Sequence, residues 1–219
     1  MSKLAPFLVF CIMFNLSHAW SQNKVFEPKG SIAIDIGIPS QGKNESFRTV
    51  MNGLFNGGLN YQQNVFKGLT IGIGAKYSFF IVNTFALGNV QWRGGLHTPS
   101  IYGKIGYEKF ITDRFSLNFG IRSGYAMQFS TSDSCRIKLG RPYQENTFFM
   151  EPQVELLLLT DKNSADGFSF VLGYNMVFSE FGPQFLCMQT LPNSVPEHYE
   201  GITRFLTLGF GYRYYLGRN

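Results

Sequence analysis

Eight times between residues 31 and 216 the chain alternates apolar and small or polar side chains with a period of two. Successive side chains of a strand point to opposite faces, so each such segment reads as a β-strand with one apolar face. The first sets Ile32, Ile34, Ile36 and Ile38 against Ala33, Asp35 and Gly37. The third is the cleanest: Leu69, Ile71, Ile73, Ala75, Tyr77, Phe79 and Ile81 oppose Thr70, Gly72, Gly74, Lys76 and Ser78. The eighth sets Leu206, Leu208, Phe210, Tyr212 and Tyr214 against Thr207, Gly209, Gly211 and Arg213. The remaining five lie at 57–65, 101–108, 115–125, 150–158 and 168–178. In the sixth, Pro152 has no N–H for the ladder, and a bulge is expected there.

The connections alternate in length. Short ones fall at 66–68, 111–114 and 161–167, and long ones at 39–56, 82–99, 127–147 and 179–202. Short turns on one side and long loops on the other form the outer-membrane pattern. Alternation alone fits a soluble, lipocalin-like barrel equally well, with its apolar face turned inward. Volume separates the two. An eight-stranded barrel is just wide enough for side chains to fill, and the Ile, Leu, Phe and Tyr of the apolar face are too many for that space. The opposite face, rich in Gly, Ser, Thr and Asn, fits. The apolar face carries one charge, Lys109, at a strand end where it can snorkel. Aromatics gather toward both ends of that face, Tyr77, Phe79, Tyr125 and Phe178 at one and Tyr107, Phe115, Phe168, Tyr212 and Tyr214 at the other. The expected fold is therefore all-β: an eight-stranded antiparallel up-and-down transmembrane β-barrel with short periplasmic turns and long extracellular loops.

The N-terminus supports export. Lys3 precedes a mostly apolar run at 4–16, too short to cross a bilayer as a helix. Small residues at −3 and −1 fit cleavage before Trp20 or before Gln22. The second is preferred, giving a signal peptide at 1–21 and a barrel domain at 22–219. A lipoprotein reading through Cys11 is disfavoured by bulky Phe10 ahead of it. A net charge of +5 without a Lys/Arg-rich run argues against nucleic-acid binding.

These dyad repeats, the loop asymmetry and the aromatic-rich last segment (Phe210, Tyr212, Tyr214 and Tyr215) resemble the OmpA/OmpX-like small outer-membrane barrels. The resemblance is architectural and spans residues 31–216. It departs from the family's terminal aromatic, because Gly217, Arg218 and Asn219 follow. It implies a multi-pass protein of the bacterial outer membrane. Members of that family serve as membrane–wall links, adhesins, evasion factors or enzymes, so the fold does not fix the function.

On the inward face stand four acids, Asp35, Glu108, Glu151 and Glu155, and four bases, Lys76, Lys104, Arg122 and Arg213. Buried charge is tolerated when paired, so the equal count points to a salt-bridged, closed interior. A narrow ion path, or catalytic carboxylates at Glu151 and Glu155, is the other way to use them. Cys135 and Cys187 fall in the third and fourth long loops, on one side of the membrane, and are expected to form a disulfide. No metal site or cofactor is expected. His97 and His198 lie in loops, where Ser100, Ser132, Ser134, Ser194, Asp133, Glu197 and Glu200 could complete a hydrolytic set. Arg136, Lys138 and Arg141 could meet lipopolysaccharide phosphates. The leading expectation is a non-enzymatic structural or interaction barrel. Its partners would be outer-membrane lipid, lipopolysaccharide and an envelope or extracellular protein. Lipid-modifying enzyme and subunit of a secretion or assembly complex are the alternatives.

Overall fold

The computed structural model describes residues 28–40, 44–87, 94–191 and 196–217; the signal-peptide expectation for 1–21 lies outside them. Eight strands follow in order: β1 (Gly30–Ser40), β2 (Met51–Phe66), β3 (Leu69–Val82), β4 (Gly95–Phe110), β5 (Phe115–Ser130), β6 (Tyr143–Leu159), β7 (Asp166–Glu180) and β8 (Ile202–Leu216). Each pairs antiparallel with its neighbour in sequence, and β1 closes the cylinder against β8, from Gly30 opposite Leu216 to Ser40 opposite Leu206. Closure leaves no sheet edge for lipid to meet, as a membrane span built from strands requires. No helix among the described residues is long and apolar enough to cross a membrane.

The apolar face points outward. Ile32, Ile34, Ile36 and Ile38 are exposed on β1, Ile71 and Ile73 on β3, and Leu208 and Phe210 on β8, while Asn60, Gln62, Thr70, Ser78 and Thr207 are buried in the lumen. This is the inverse of a soluble barrel. The shortest turn, Lys67-Gly68 between β2 and β3, has φ of 42° and 89°. Two positive φ values make the type I′ hairpin that matches strand twist, and glycine takes the second without strain.

Two expectations are corrected. The strands run further on the loop side than the alternation indicates: β2 starts at Met51, β4 at Gly95 and β6 at Tyr143, and β5 continues to Ser130. The loops are correspondingly shorter. There the outward face becomes mixed, with Asn52 on β2 and Gln144 and Asn146 on β6 beside the apolar Leu54, Phe55 and Phe129, so the period-two signal fades while the ladder continues. Pro152 forms no bulge. Met150 faces Met176 and Gln153 faces Gly173 in one continuous register. The missing N–H removes a ladder bond toward β7 without inserting a residue. Register shifts occur instead at Gly53/Phe55 and Asn64/Phe66 in β2, and at Val177/Glu180 in β7.

Candidate functional site: the lumen and its mouth

All eight inward charges are buried, and they divide into two groups of two acids and two bases. Nearer the mouth, Lys76 Nζ lies 2.6 Å from Glu151 Oε2, and Arg122 Nη2 lies 2.9 Å from Asp35 Oδ1. Arg122 Nη1 also approaches Glu151 Oε1 at 3.8 Å. Nearer the turns, Arg213 pairs with Glu155 and, at 3.6 Å, with Glu108, while Lys104 is 4.0 Å from Glu155. Each group is formally neutral, the condition under which low-dielectric burial is tolerable.

Neutral polar side chains extend both groups, and inspection of charges alone misses them; the Nε atoms of Arg122 and Arg213 are buried without a hydrogen-bond partner among the described residues. Gln62 accepts from Lys104 Nζ at 2.9 Å and donates to Glu108 Oε2 at 3.1 Å. The Tyr215 hydroxyl donates to Glu108, and Lys76 donates to Asn175. Their signal was present in the polar phase of the alternation, but it does not separate a bridging amide from a filler. Small residues make room: a Cβ at Gly173 would fall 2.4 Å from Glu151 Oε1, and one at Gly58 would fall 3.0 Å from Asp35 Oδ2.

Above the charges the lumen turns apolar. Phe80 and Val82 of β3, Leu96 of β4, Phe149 of β6, Val177 of β7 and Phe205 of β8 point inward and join one buried cluster. The loops complete it. Helix α1 (Glu45–Val50), capped by Asn44 whose side chain accepts from the Phe47 N–H, inserts Phe47 and Val50. The fourth loop inserts Phe181, Phe185 and Leu186. Phe47 meets Phe80 edge-on at 4.9 Å and Phe181 at 5.2 Å, and Phe181 stacks on Phe185 at 5.3 Å. Lys76 joins the two layers, its ammonium lying 4.9 Å from the Phe149 ring centre.

Loops one and four are also tied by hydrogen bonds. Ser46 Oγ donates to the His198 carbonyl at 2.9 Å, and Asn44 Nδ2 donates to the Gly201 carbonyl at 3.4 Å. Cys135 and Cys187 form a disulfide, with Cα atoms 4.9 Å apart. It joins helix α2 (Asp133–Leu139) of the third loop to the fourth.

The histidines and serines are not brought together as a hydrolytic set among the described residues. His97 stands on the outer wall, with Nδ1 2.5 Å from the Tyr77 hydroxyl and Nε2 3.2 Å from Thr131 Oγ1. Its ring stacks between Phe79 and Phe129, each at 4.7 Å. His198 Nε2 lies 3.4 Å from Glu45. Ser132 caps α2, Ser134 Oγ donates to the Cys187 carbonyl, and Ser100 is buried in the lumen. Asp133 opens α2, and Glu200 is exposed before β8. Ser194 and the Glu197 side chain lie outside the described residues. Also among the described residues, no group of three or more His, Cys, Asp or Glu is placed to hold a metal ion.

A closed eight-stranded cylinder with an apolar outer belt, a polar lumen, short turns at one end and folded loops at the other has the architecture of the small bacterial outer-membrane barrels. A solved structure shares it. A major outer membrane protein from Thermus thermophilus superposes with a TM-score of 0.50 at 10% identity, over 85% of this chain and 99% of that one. Neisserial surface protein A gives 0.49 at 9% identity, over 85% and 96% of the two chains. Ail, the attachment invasion locus protein of Yersinia pestis, gives 0.40 at 13%, over 86% and 100%. No protein-family model and no curated protein matches the chain. At these identities the likeness is one of fold.

Proposed function

We propose that this chain is a non-enzymatic, closed structural barrel of the bacterial outer membrane that works through its ordered extracellular loops. Residues 1–21 would be removed as a signal peptide, leaving 22–219 as the exported barrel. One observation carries the reading: the lumen is filled twice, by two neutral charge groups and by an apolar layer into which loops one and four insert side chains. A filled lumen leaves the loop surface as the part that faces other molecules. Envelope or extracellular proteins and outer-leaflet lipid are the partners this arrangement suits.

Two measurements test it. Planar-bilayer recordings of the purified barrel are expected to show no steady channels, and a large stable conductance would overturn the closed reading. Photo-crosslinkers placed in loops three and four of the protein in intact outer membranes are expected to capture a lipid or protein partner. Capture only from the periplasmic turns 67–68 and 111–114 would overturn the loop reading.

A further inference from the structure

We propose that Glu45 and His198 form a pH-sensitive latch across the barrel mouth, which tightens in mild acid and slackens as the imidazole loses its proton. The inference rests on the loop reading above and names a control over the order of those loops. The latch joins two short elements, each anchored in the plug. Helix α1 carries Phe47 and Val50 into the apolar cluster, and the 3-10 turn Pro196–Tyr199 of the fourth loop packs Tyr199 against the same cluster. Above the plug, His198 Nε2 lies 3.4 Å from Glu45 Oε2, with 32% and 54% of the two side chains exposed. Protons from solvent therefore reach this pair directly.

No other ion pair among the described residues is so placed. The rest lie inside the barrel, with side chains at most 8% exposed. The remaining charged groups on the two elements and beside them are Arg48, exposed in the last turn of α1, Glu200, exposed before β8, and Glu197, whose side chain lies outside the described residues. Glu200 makes no ion pair with His198. His97, the other histidine among the described residues, has both ring nitrogens engaged on the outer wall, by Tyr77 and Thr131.

Two contacts that do not titrate run beside the pair. Ser46 Oγ donates to the His198 carbonyl, and Asn44 Nδ2 donates to the Gly201 carbonyl. They join loops one and four at any pH and keep the imidazole close to the carboxylate. Protonation adds charge to that arrangement. Imidazole side chains change charge between about pH 5 and 8, whereas a carboxylate is neutralised only in stronger acid. The imidazolium is attracted to Glu45 only while the loops are joined, so acid favours the joined state and the attraction is lost as pH rises. An exposed pair shifts such an equilibrium by about two- to fivefold. The mouth therefore stays sealed at neutral pH, and the latch sets how often α1 and the fourth loop open.

The test is hydrogen exchange of the mature barrel in phosphatidylcholine nanodiscs at about pH 5.5 and about pH 7.5, on either side of the imidazole range. Each rate is divided by that of unstructured peptide at the same pH. Amides of α1, where the Arg48 N–H donates to the Asn44 carbonyl, should be about two- to fivefold better protected in acid, with strand amides unchanged. Glu45→Gln and His198→Gln should each abolish that response and His97→Gln should keep it, with heat-modifiable migration showing that every variant has folded. Glu197 and Glu200 remain in Glu45→Gln, so a response that survives there would overturn the pairing. Equal protection of the wild type at the two pH values, better protection at the higher one, or loss of the response in His97→Gln would overturn the latch. Loop crosslinks in intact membranes do not depend on any of these results, so the two readings can fail separately.

Discussion

The middle of the lumen and its mouth are filled by opposite chemistries, and they hold the barrel in different ways. In the middle, Arg122 sits between Asp35 and Glu151, and Arg213 between Glu108 and Glu155, at distances set by the register of the closed wall. At the mouth, Phe47, Phe181 and Phe185 arrive on loops and pack on wall residues Phe80 and Phe205. Ion pairs demand position and tolerate no missing partner, because an uncompensated buried charge costs far more than a neutral gap. Apolar packing is graded and can be lost one side chain at a time. The middle is therefore expected to unfold with the barrel as a whole, and the mouth to open locally.

The sharpest way to break this contrast is Arg122→Ala. It strands the Asp35 carboxylate and part of Glu151, and should destabilise the barrel by roughly 3–5 kcal/mol in urea unfolding from micelles. A loss below 1 kcal/mol would mean that the middle is solvated rather than locked. Phe47→Ala removes the ring that joins loops one and four to the wall, at about 3 kcal/mol. Hydrogen exchange should show that loss in α1 and the fourth loop, with strand amides little changed; equal acceleration in the strands would erase the distinction.

Gly173→Ala tests the fit of the middle more gently. A methyl group 2.4 Å from Glu151 Oε1 must push a carboxylate already held by Lys76, at a cost of about 1–3 kcal/mol. The smallest effect is expected at Pro152→Val. The register places residue 152 opposite Tyr174, and restoring the N–H should stabilise the barrel against unfolding by about 1 kcal/mol. A destabilised Pro152→Val barrel would show that the proline is held there by packing instead. Reduction of Cys135–Cys187 separates the regions differently: protease should gain access to loops three and four while heat-modifiable migration persists.

The wall was legible because a strand repeats every two residues and lipid demands apolar side chains at alternate positions. Ile32 to Ile38 and Leu69 to Ile81 therefore announce strand, face and membrane at once. The inward charges were legible for the same reason, since Asp35, Lys76 and Arg122 occupy the phase that lipid excludes. The mouth was not. Phe80, Leu96, Phe149 and Phe205 stand in the polar phase near the loop ends, where apolar side chains read as flaws in the alternation. Beyond the membrane the outward face is free to be polar and the inward face free to be apolar, so the pattern inverts without the strand ending.

By itself the sequence determined the number of strands, their order, which face meets lipid and which eight charges lie inside, because each follows from local periodicity and the cost of unpaired charge in a membrane. Only the tertiary structure decided how those charges divide into two neutral groups, that Gln62, Asn175 and Tyr215 complete them, and that loops one and four seal the mouth. Those outcomes depend on strand register and barrel closure, which bring residues as far apart as Asp35 and Arg122 within 2.9 Å, and no local pattern encodes a distance across the lumen.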